Sequence, residues 1–322
     1  MRKVLLATTA IVALGGVSAA SADISVGASA EFQYDSWSGT SADTTATNNN
    51  SFSGTTDFSI SASSVLDNGM TISARVFEDG SADGTASFAE NGFKISDDWG
   101  TLGFNSDESG DAFATALDIT DDEGYNNDGT TITTLKPSDD WISSAEVSYL
   151  SPNISGFQFS IGTADGAKAD NTMGGVQYSA VAGDATVTLK YAFQSTGKLT
   201  SAGTGANDSV DITNVGAVIA MGGATLTISQ KSYEQGSVVD LEGSGAAIAY
   251  AVSDSLTLEA YTAESEDDGT TDPNFKFKET AYGLTYTIAP GLSLSLTNNT
   301  WDQDGTTDED GKNTAVALDL SF

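Results

Sequence analysis

Apolar and polar residues alternate over stretches of about ten residues, and such stretches recur along most of this chain. The last stretch shows the pattern: Val316, Leu318, Leu320 and Phe322 are apolar, with small or polar residues between them. Residues 24–34 alternate in the same way. A period of two is typical of a β-strand with one apolar and one polar face. The final strand by itself fits either the edge of a β-sandwich or the closing strand of a barrel.

About sixteen such strands follow one another, and they are joined by two kinds of connection that alternate along the chain. Short turns carry Asp, Asn, Gly, Ser and Pro, which favour tight hairpins. The longer polar connections are residues 35–51, 106–140, 165–173, 194–211, 234–244, 265–279 and 302–312. Strands of this length suit a tilted membrane crossing, whereas soluble sandwiches usually have shorter strands and no such sidedness. We therefore predict an all-β, 16-stranded antiparallel transmembrane β-barrel with short turns on one side and long loops on the other.

The first 22 residues form a separate unit. Two basic residues precede an apolar run, residues 4–17, which ends in the small residues 18–22. A basic start, a short apolar core and an Ala-Ser-Ala end are typical of a cleaved signal peptide, and the run is too short to span a membrane. We predict cleavage before Asp23, which leaves residues 23–322 as one barrel domain.

Charge and composition exclude several classes of protein. The formal net charge is −33, and the chain contains neither His nor Cys. The charge argues against nucleic acid as a partner and favours cations. Without His, Ser-His-Asp and Cys-His catalysis are excluded, so we predict that the protein is not an enzyme. After the signal segment no run approaches the roughly 18 to 20 apolar residues of a membrane helix, but a membrane barrel needs none.

Four stretches are distinctive: the start MRKVLLATTAIVAL, the early strand ADISVGASAEFQY, the segment WGTLGFN at residues 99–105, and the terminal ALDLSF. With them the chain resembles Gram-negative general diffusion porins of the α-proteobacterial type. The resemblance implies a sixteen-stranded outer-membrane barrel, a homotrimer, and a third long loop folded into the pore as a constriction. That loop would be residues 106–140, the longest connection in the chain. Phe322 is similar to the family's terminal assembly signal, and we expect contacts with membrane lipids and lipopolysaccharide.

In the family, acidic residues of the constriction loop face basic residues of the barrel wall. The acidic candidates in this chain are Asp107, Glu108, Asp111, Asp118, Asp121 and Asp122. Strand parity predicts that Arg75, Lys94, Lys190 and Lys231 face the lumen, because a lipid-facing charge is costly. Arg75 and Lys94 are the strongest candidates for the basic wall, because their strands come just before the loop. A solvated acidic loop and ordinary lumen salt bridges are the alternatives.

The predicted function is a water-filled channel for passive diffusion of ions and small hydrophilic solutes. The excess of acid predicts a preference for cations. We expect no cofactor, with Ca²⁺ as the one open candidate because hard cations bind several carboxylate and carbonyl oxygens. Its candidate ligands are Asp267, Asp268, Asp308 and Asp310, for which a solvated acidic loop is the alternative.

Aromatic residues near strand ends are candidates for the girdles that flank the apolar band of membrane barrels. They are Tyr34, Trp37, Trp99, Trp141, Tyr149, Tyr191, Phe193, Tyr233, Tyr286, Trp301 and Phe322. We expect about half of them to form girdles, and the others to be trimer contacts or ordinary strand residues.

A second class of function remains open: an acidic β-rich adhesin or surface-layer protein without channel activity. It would predict calcium-binding nonapeptide repeats, which the sequence lacks. A sugar-specific channel would need a ladder of lumen-facing aromatics. Most strand aromatics here share the apolar face, with Tyr261 and Phe77 as exceptions.

Overall fold

The computed structural model describes residues 23–41, 44–80, 87–104, 146–165, 170–196, 209–236, 239–269, 275–305 and 309–322. Within these residues the chain forms sixteen β-strands. The strands are β1 (Asp23–Ser41), β2 (Thr44–Val65), β3 (Thr71–Gly80), β4 (Ser87–Asp97), β5 (Gly100–Phe104), β6 (Val147–Leu150), β7 (Phe157–Asp165), β8 (Asp170–Ala182), β9 (Ala185–Thr196), β10 (Val210–Met221), β11 (Ala224–Gln235), β12 (Val239–Ser253), β13 (Leu256–Asp267), β14 (Lys276–Ala289), β15 (Leu292–Asp304) and β16 (Glu309–Ser321). The predicted fold class and strand number are confirmed.

Every strand pairs antiparallel with its neighbours in the sequence, and β16 pairs with β1 to close the barrel. In this seam Phe32 lies opposite Leu318, and Glu31 lies opposite Asp319. At its end the Phe322 N–H donates to the Ala28 carbonyl at 2.9 Å, and the Ala28 N–H donates to the Phe322 carbonyl at 3.4 Å. The chain terminus is therefore part of the closed sheet, so no strand edge is left free among the described strands.

The two faces of the barrel differ in chemistry. Large apolar side chains such as Phe58, Ile228, Leu258 and Leu296 point outward and are exposed. In β1 the outward apolar residues run from Ile24 to Tyr34, and eleven tilted strand residues cover about 25 Å of height, as an apolar membrane band does. The inner face carries mainly polar and small side chains. No helix among the described residues is long and apolar enough to cross a membrane.

The short turns lie at the end of the barrel where β1 begins and β16 ends, and they have the expected chemistry. Gly100, which opens β5, has a φ of 120°, and a Cβ there would overlap the Leu150 carbonyl oxygen. A side chain is therefore disfavoured at the glycine of the WGTLGFN segment. Next to it, the Tyr149 hydroxyl donates to the Trp99 carbonyl at 2.6 Å and the two rings stack at 6.2 Å.

The strands extend further than the alternation of the sequence indicates. Residues 35–51, predicted as a polar connection, are mostly strand, because β1 continues to Ser41 and β2 begins at Thr44. The predicted connection 234–244 shrinks in the same way between β11 and β12. Backbone pairing continues beyond the membrane band, where the alternation of apolar and polar residues that marks a strand in the sequence is lost.

Candidate functional site

All four basic residues predicted for the pore wall lie on the lumen side. Arg75 is opposite Ser61, and Lys94 is opposite Ser73, both in the polar register of their strands. Lys190 is opposite Gly216, and Lys231 is opposite Asn214. Their neighbours in sequence include Val76, Phe93, Leu189 and Tyr191, which are exposed on the outer face, so the four basic residues lie on the opposite face of their strands.

The lumen wall also carries carboxylates, and these lie on different strands from the bases. The described lumen-facing acids are Asp23, Glu31, Asp35, Asp57, Glu259, Asp267, Glu279 and Asp319. They lie on β1, β2, β13, β14 and β16, whereas the four bases lie on β3, β4, β9 and β11. Within the described wall, no strand carries both an acid and a base, and acids outnumber bases.

Three of these carboxylates cluster at the end of the lumen that holds the short turns. Glu31 lies directly opposite Asp319, and the Ser29 hydroxyl donates to Asp57 at 3.2 Å. A cavity of about 380 Å³ adjoins all three carboxylates. This end of the lumen therefore carries three acidic side chains close together, two of them on directly opposed strand positions.

A second polar patch lies nearer the loop end of the lumen. The Gln33 amide donates to Asp35 Oδ1 at 2.8 Å, and the Asn313 amide donates to the same oxygen at 3.1 Å. Beside this group, Glu279 Oε1 accepts hydrogen bonds from the Tyr261 hydroxyl at 2.9 Å and the Asn299 amide at 3.0 Å. Asp35 and Glu279 are 1% and 0% exposed, so both are lumen-facing carboxylates that are buried.

Aromatic side chains adjoin this patch. Trp37 and Trp301 stack with ring centroids 6.1 Å apart, and both belong to a buried cluster with Leu241, Phe275 and Phe277. The Trp301 indole extends from β15 across β16 at Gly311, where a Cβ would overlap the ring. The ring fits there because Gly311 has no side chain. Trp37, Trp301 and the adjacent Tyr233 are among the predicted girdle residues. Their register places them inside the barrel instead, because paired strands continue beyond the apolar band.

Other girdle candidates do point outward. Tyr191, Tyr286 and Phe322 are exposed on the outer face, with Phe322 at 78%. Trp99 and Tyr149 form the stacked pair at the turn end. Trp141 lies outside the described residues.

The remaining predicted site residues divide into two groups. Asp107, Glu108, Asp111, Asp118, Asp121 and Asp122 lie outside the described residues, as do Asp308 and residues 1–22. Of the calcium candidates, Asp267 ends β13 and accepts backbone hydrogen bonds from Asp240 and Gly269. Asp310 is in β16, three strands and about 14 Å away. In the described part of the chain no group of three or more Asp or Glu side chains is arranged to hold a metal ion.

The predicted polar connections 265–279 and 302–312 include Lys276, Lys278 and Lys312. In the structure these three lysines lie on strands and point outward at the loop end. Lys276 is 3.6 Å from Glu266, and Lys278 lies between Glu264 and Asp302 on the neighbouring strands. These charges are on the same strand face as the apolar band but beyond it. Alternation alone does not separate the membrane band from this outer rim.

A closed barrel with an apolar outer band and a polar, charged interior is a membrane-spanning channel, since the strands pair around the whole barrel and the lumen is polar. A family model described as Gram-negative porin matches residues 7–313. The chain belongs to the Gram-negative porin family, whose members are outer-membrane diffusion channels rather than enzymes.

Solved structures show the same fold. The anion-selective porin from Comamonas acidovorans has a TM-score of 0.66 at 15% identity, covering 93% of this chain and 100% of that chain. The trimer form of in-vitro folded OmpT from Vibrio cholerae has a TM-score of 0.61 at 13% identity, covering 94% and 99%. The outer membrane channel DcaP of Acinetobacter baumannii has a TM-score of 0.64 at 11% identity, covering 96% and 99%. No significant match was found among curated protein sequences.

Proposed function

We propose that the protein is a cation-preferring general diffusion channel of the outer membrane for ions and small hydrophilic solutes. The observation that carries the proposal is the excess of carboxylates on the described lumen wall. Glu31, Asp57 and Asp319 line one cavity at the turn end, and Asp35 and Glu279 lie further along the lumen. Fixed negative charge in a narrow passage raises the local concentration of cations and repels anions.

The segregation of charge supports a second part of the proposal. Arg75, Lys94, Lys190 and Lys231 lie on β3, β4, β9 and β11, whereas the acids of the described wall lie on β1, β2, β13, β14 and β16. Lys190 on β9 is half-way around the barrel from the acids of β1, so a solute between them meets a field across the channel. We propose that loop 106–140 narrows this passage, with Asp107, Glu108, Asp111, Asp118, Asp121 and Asp122 on its acidic side.

Export, oligomeric state and membrane contacts are expected from the family and are part of the same proposal. We propose export by the cleaved segment 1–22, a homotrimer, and contacts with lipopolysaccharide and membrane lipids. The similar OmpT of Vibrio cholerae has a trimer form, which supports self-association here. Ca²⁺ at the acidic outer ends of the strands remains a proposal with Asp267, Asp268, Asp308 and Asp310 as candidate ligands.

Ion selectivity can be measured directly. In a planar bilayer with a KCl gradient of about tenfold, we expect a reversal potential that favours K⁺ over Cl⁻. The double variant D57N/D319N is expected to lower the cation-to-anion permeability ratio, because it removes two lumen charges. The variant D304N removes an outward charge and is the matched control, for which we expect an unchanged ratio.

Anion selectivity of the wild-type channel would contradict the proposed preference, and absence of any conductance would contradict channel function. The porin from Comamonas acidovorans is anion-selective and has the same fold. Under the proposal, this chain has the same fold and the opposite selectivity, because the charges on its wall are mainly negative.

A further inference from the structure

The buried carboxylate of Asp35 has no counter-charge among the described residues. Its Oδ1 accepts two amide hydrogen bonds, but Oδ2 has no hydrogen-bond partner within the described part of the chain, and the residue is 1% exposed. Arg75 lies in register with Ser25, ten residues before Asp35 in the sequence, which corresponds to about 33 Å along the strand. An unpaired buried charge is strongly destabilising. A bound cation would remove this penalty.

A second unpartnered acceptor lies beside the first. Asn313 Oδ1 is also buried and has no hydrogen-bond partner in the described residues, while the Asn313 amide group holds Asp35. Asn313 is directly opposite Trp37 across the β1–β16 seam. One carboxylate oxygen, one amide oxygen and one indole ring therefore belong to neighbouring positions of a single strand pair.

The chemistry of the two free oxygens and the charge of Asp35 determine which ligands can bind. Both free atoms are acceptors, so the ligand must present donors, and the negative charge of Asp35 excludes anions. Two oxygens are too few for a hard metal ion such as Ca²⁺, which takes six to eight. An alkylammonium group has three donors, no acceptor and a full positive charge, and it gains further from an adjacent indole face.

We propose that Asp35, Asn313 and Trp37 form a binding site for organic ammonium solutes on the lumen wall. The inference rests on the proposed diffusion function and narrows its substrate class to solutes with amino groups. Trp37 is buried with the other two residues, so the site is closed in this structure. Because binding requires opening of the wall, we expect block of the channel by such solutes to be slow.

Binding can be measured without the channel. Purified protein in detergent is titrated with putrescine while tryptophan fluorescence is recorded, with 1,4-butanediol as the uncharged analogue. We expect a saturable change with putrescine and none with the diol. The variant D35N keeps an acceptor for Gln33 and Asn313 but removes the charge, and we expect at least tenfold weaker binding. W37L is expected to weaken binding by about threefold to tenfold, as loss of a cation–π contact does.

The control is D302N, which removes the same charge from the outer surface and is expected to leave putrescine affinity unchanged. Circular dichroism establishes that each variant keeps its β-sheet content. Equal affinity in wild type and D35N would overturn the site, and so would equal binding of the diol. Planar-bilayer conductance distinguishes failure of the site from failure of the channel. Putrescine binding without conductance would support the site and contradict the proposed channel function. Conductance without putrescine binding would support the channel and contradict the site.

Discussion

Gly311 and Trp301 illustrate how one residue shapes the lumen wall. Trp301 projects inward from β15 and reaches Trp37 on β1, so its indole must cross the intervening strand β16. The position it crosses is Gly311, where even a methyl group would overlap the ring. The aromatic pair is therefore possible because the residue between the two strands has no side chain.

The substitution G311A tests this arrangement. We expect it to lower the free energy of unfolding by about 1 to 3 kcal/mol, as overpacking of a filled site does. The measurement is urea unfolding in detergent. In a W301L background the same substitution should have little effect, because the overlapping ring is gone. An equal effect in both backgrounds would show that the indole is not the cause.

At the level of elements, the seam between β1 and β16 determines whether the sheet closes. Phe322 contributes two backbone hydrogen bonds to Ala28 beyond the end of β16. Its side chain is exposed on the outer face and contributes little packing within one chain. The backbone of the last residue is therefore expected to matter more for the stability of the isolated barrel than its ring.

Deletion of Phe322 should destabilise the barrel by about 1 to 3 kcal/mol, since each net hydrogen bond contributes about 0.5 to 1.5 kcal/mol. F322L keeps both backbone groups and is expected to remain within about 0.5 kcal/mol of wild type. Urea midpoints of the refolded barrels in detergent distinguish the two. Equal loss in both variants would assign the effect to the ring instead.

At the scale of the whole molecule, neighbouring residues of one strand face different environments, the lipid bilayer outside the barrel and the polar lumen inside it. In β11, Ile228 points outward in the apolar band, and Thr227 points into the lumen. On the strand before it, Ala217 lies opposite Ile228 and Val218 lies opposite Thr227, so the two strands are in register on both faces. The side of the sheet that a residue faces therefore decides the effect of a charge there.

The variants I228R and T227R place the same charge on the two faces. We expect I228R to cost about 2 to 4 kcal/mol in a lipid bilayer, as Arg does near the midplane of a membrane barrel. T227R should be close to wild type in stability, because its side chain remains in the polar lumen. Unfolding in liposomes measures both, and a similar loss in the two variants would contradict the assignment of the outer face to lipid.

The architecture follows from the amino-acid sequence alone. The period of two fixes which side chains share a face, and Arg75, Lys94, Lys190 and Lys231 share the polar face of their strands with small and polar residues. The pairing of the last strand with residues 24–34 was predictable as well, because a barrel of sixteen strands must close with its first and last strands together.

How far the strands continue, and which residues they bring into contact, depends on the closed barrel and does not follow from the local sequence. Asp35 and Trp37 stand in a stretch predicted as a polar loop, yet β1 carries them into the lumen. Asp35 then meets Asn313 across 278 positions of sequence. Local pattern cannot determine such a contact, because the closing register aligns residues from opposite ends of the chain and backbone pairing continues where the apolar signal has ended.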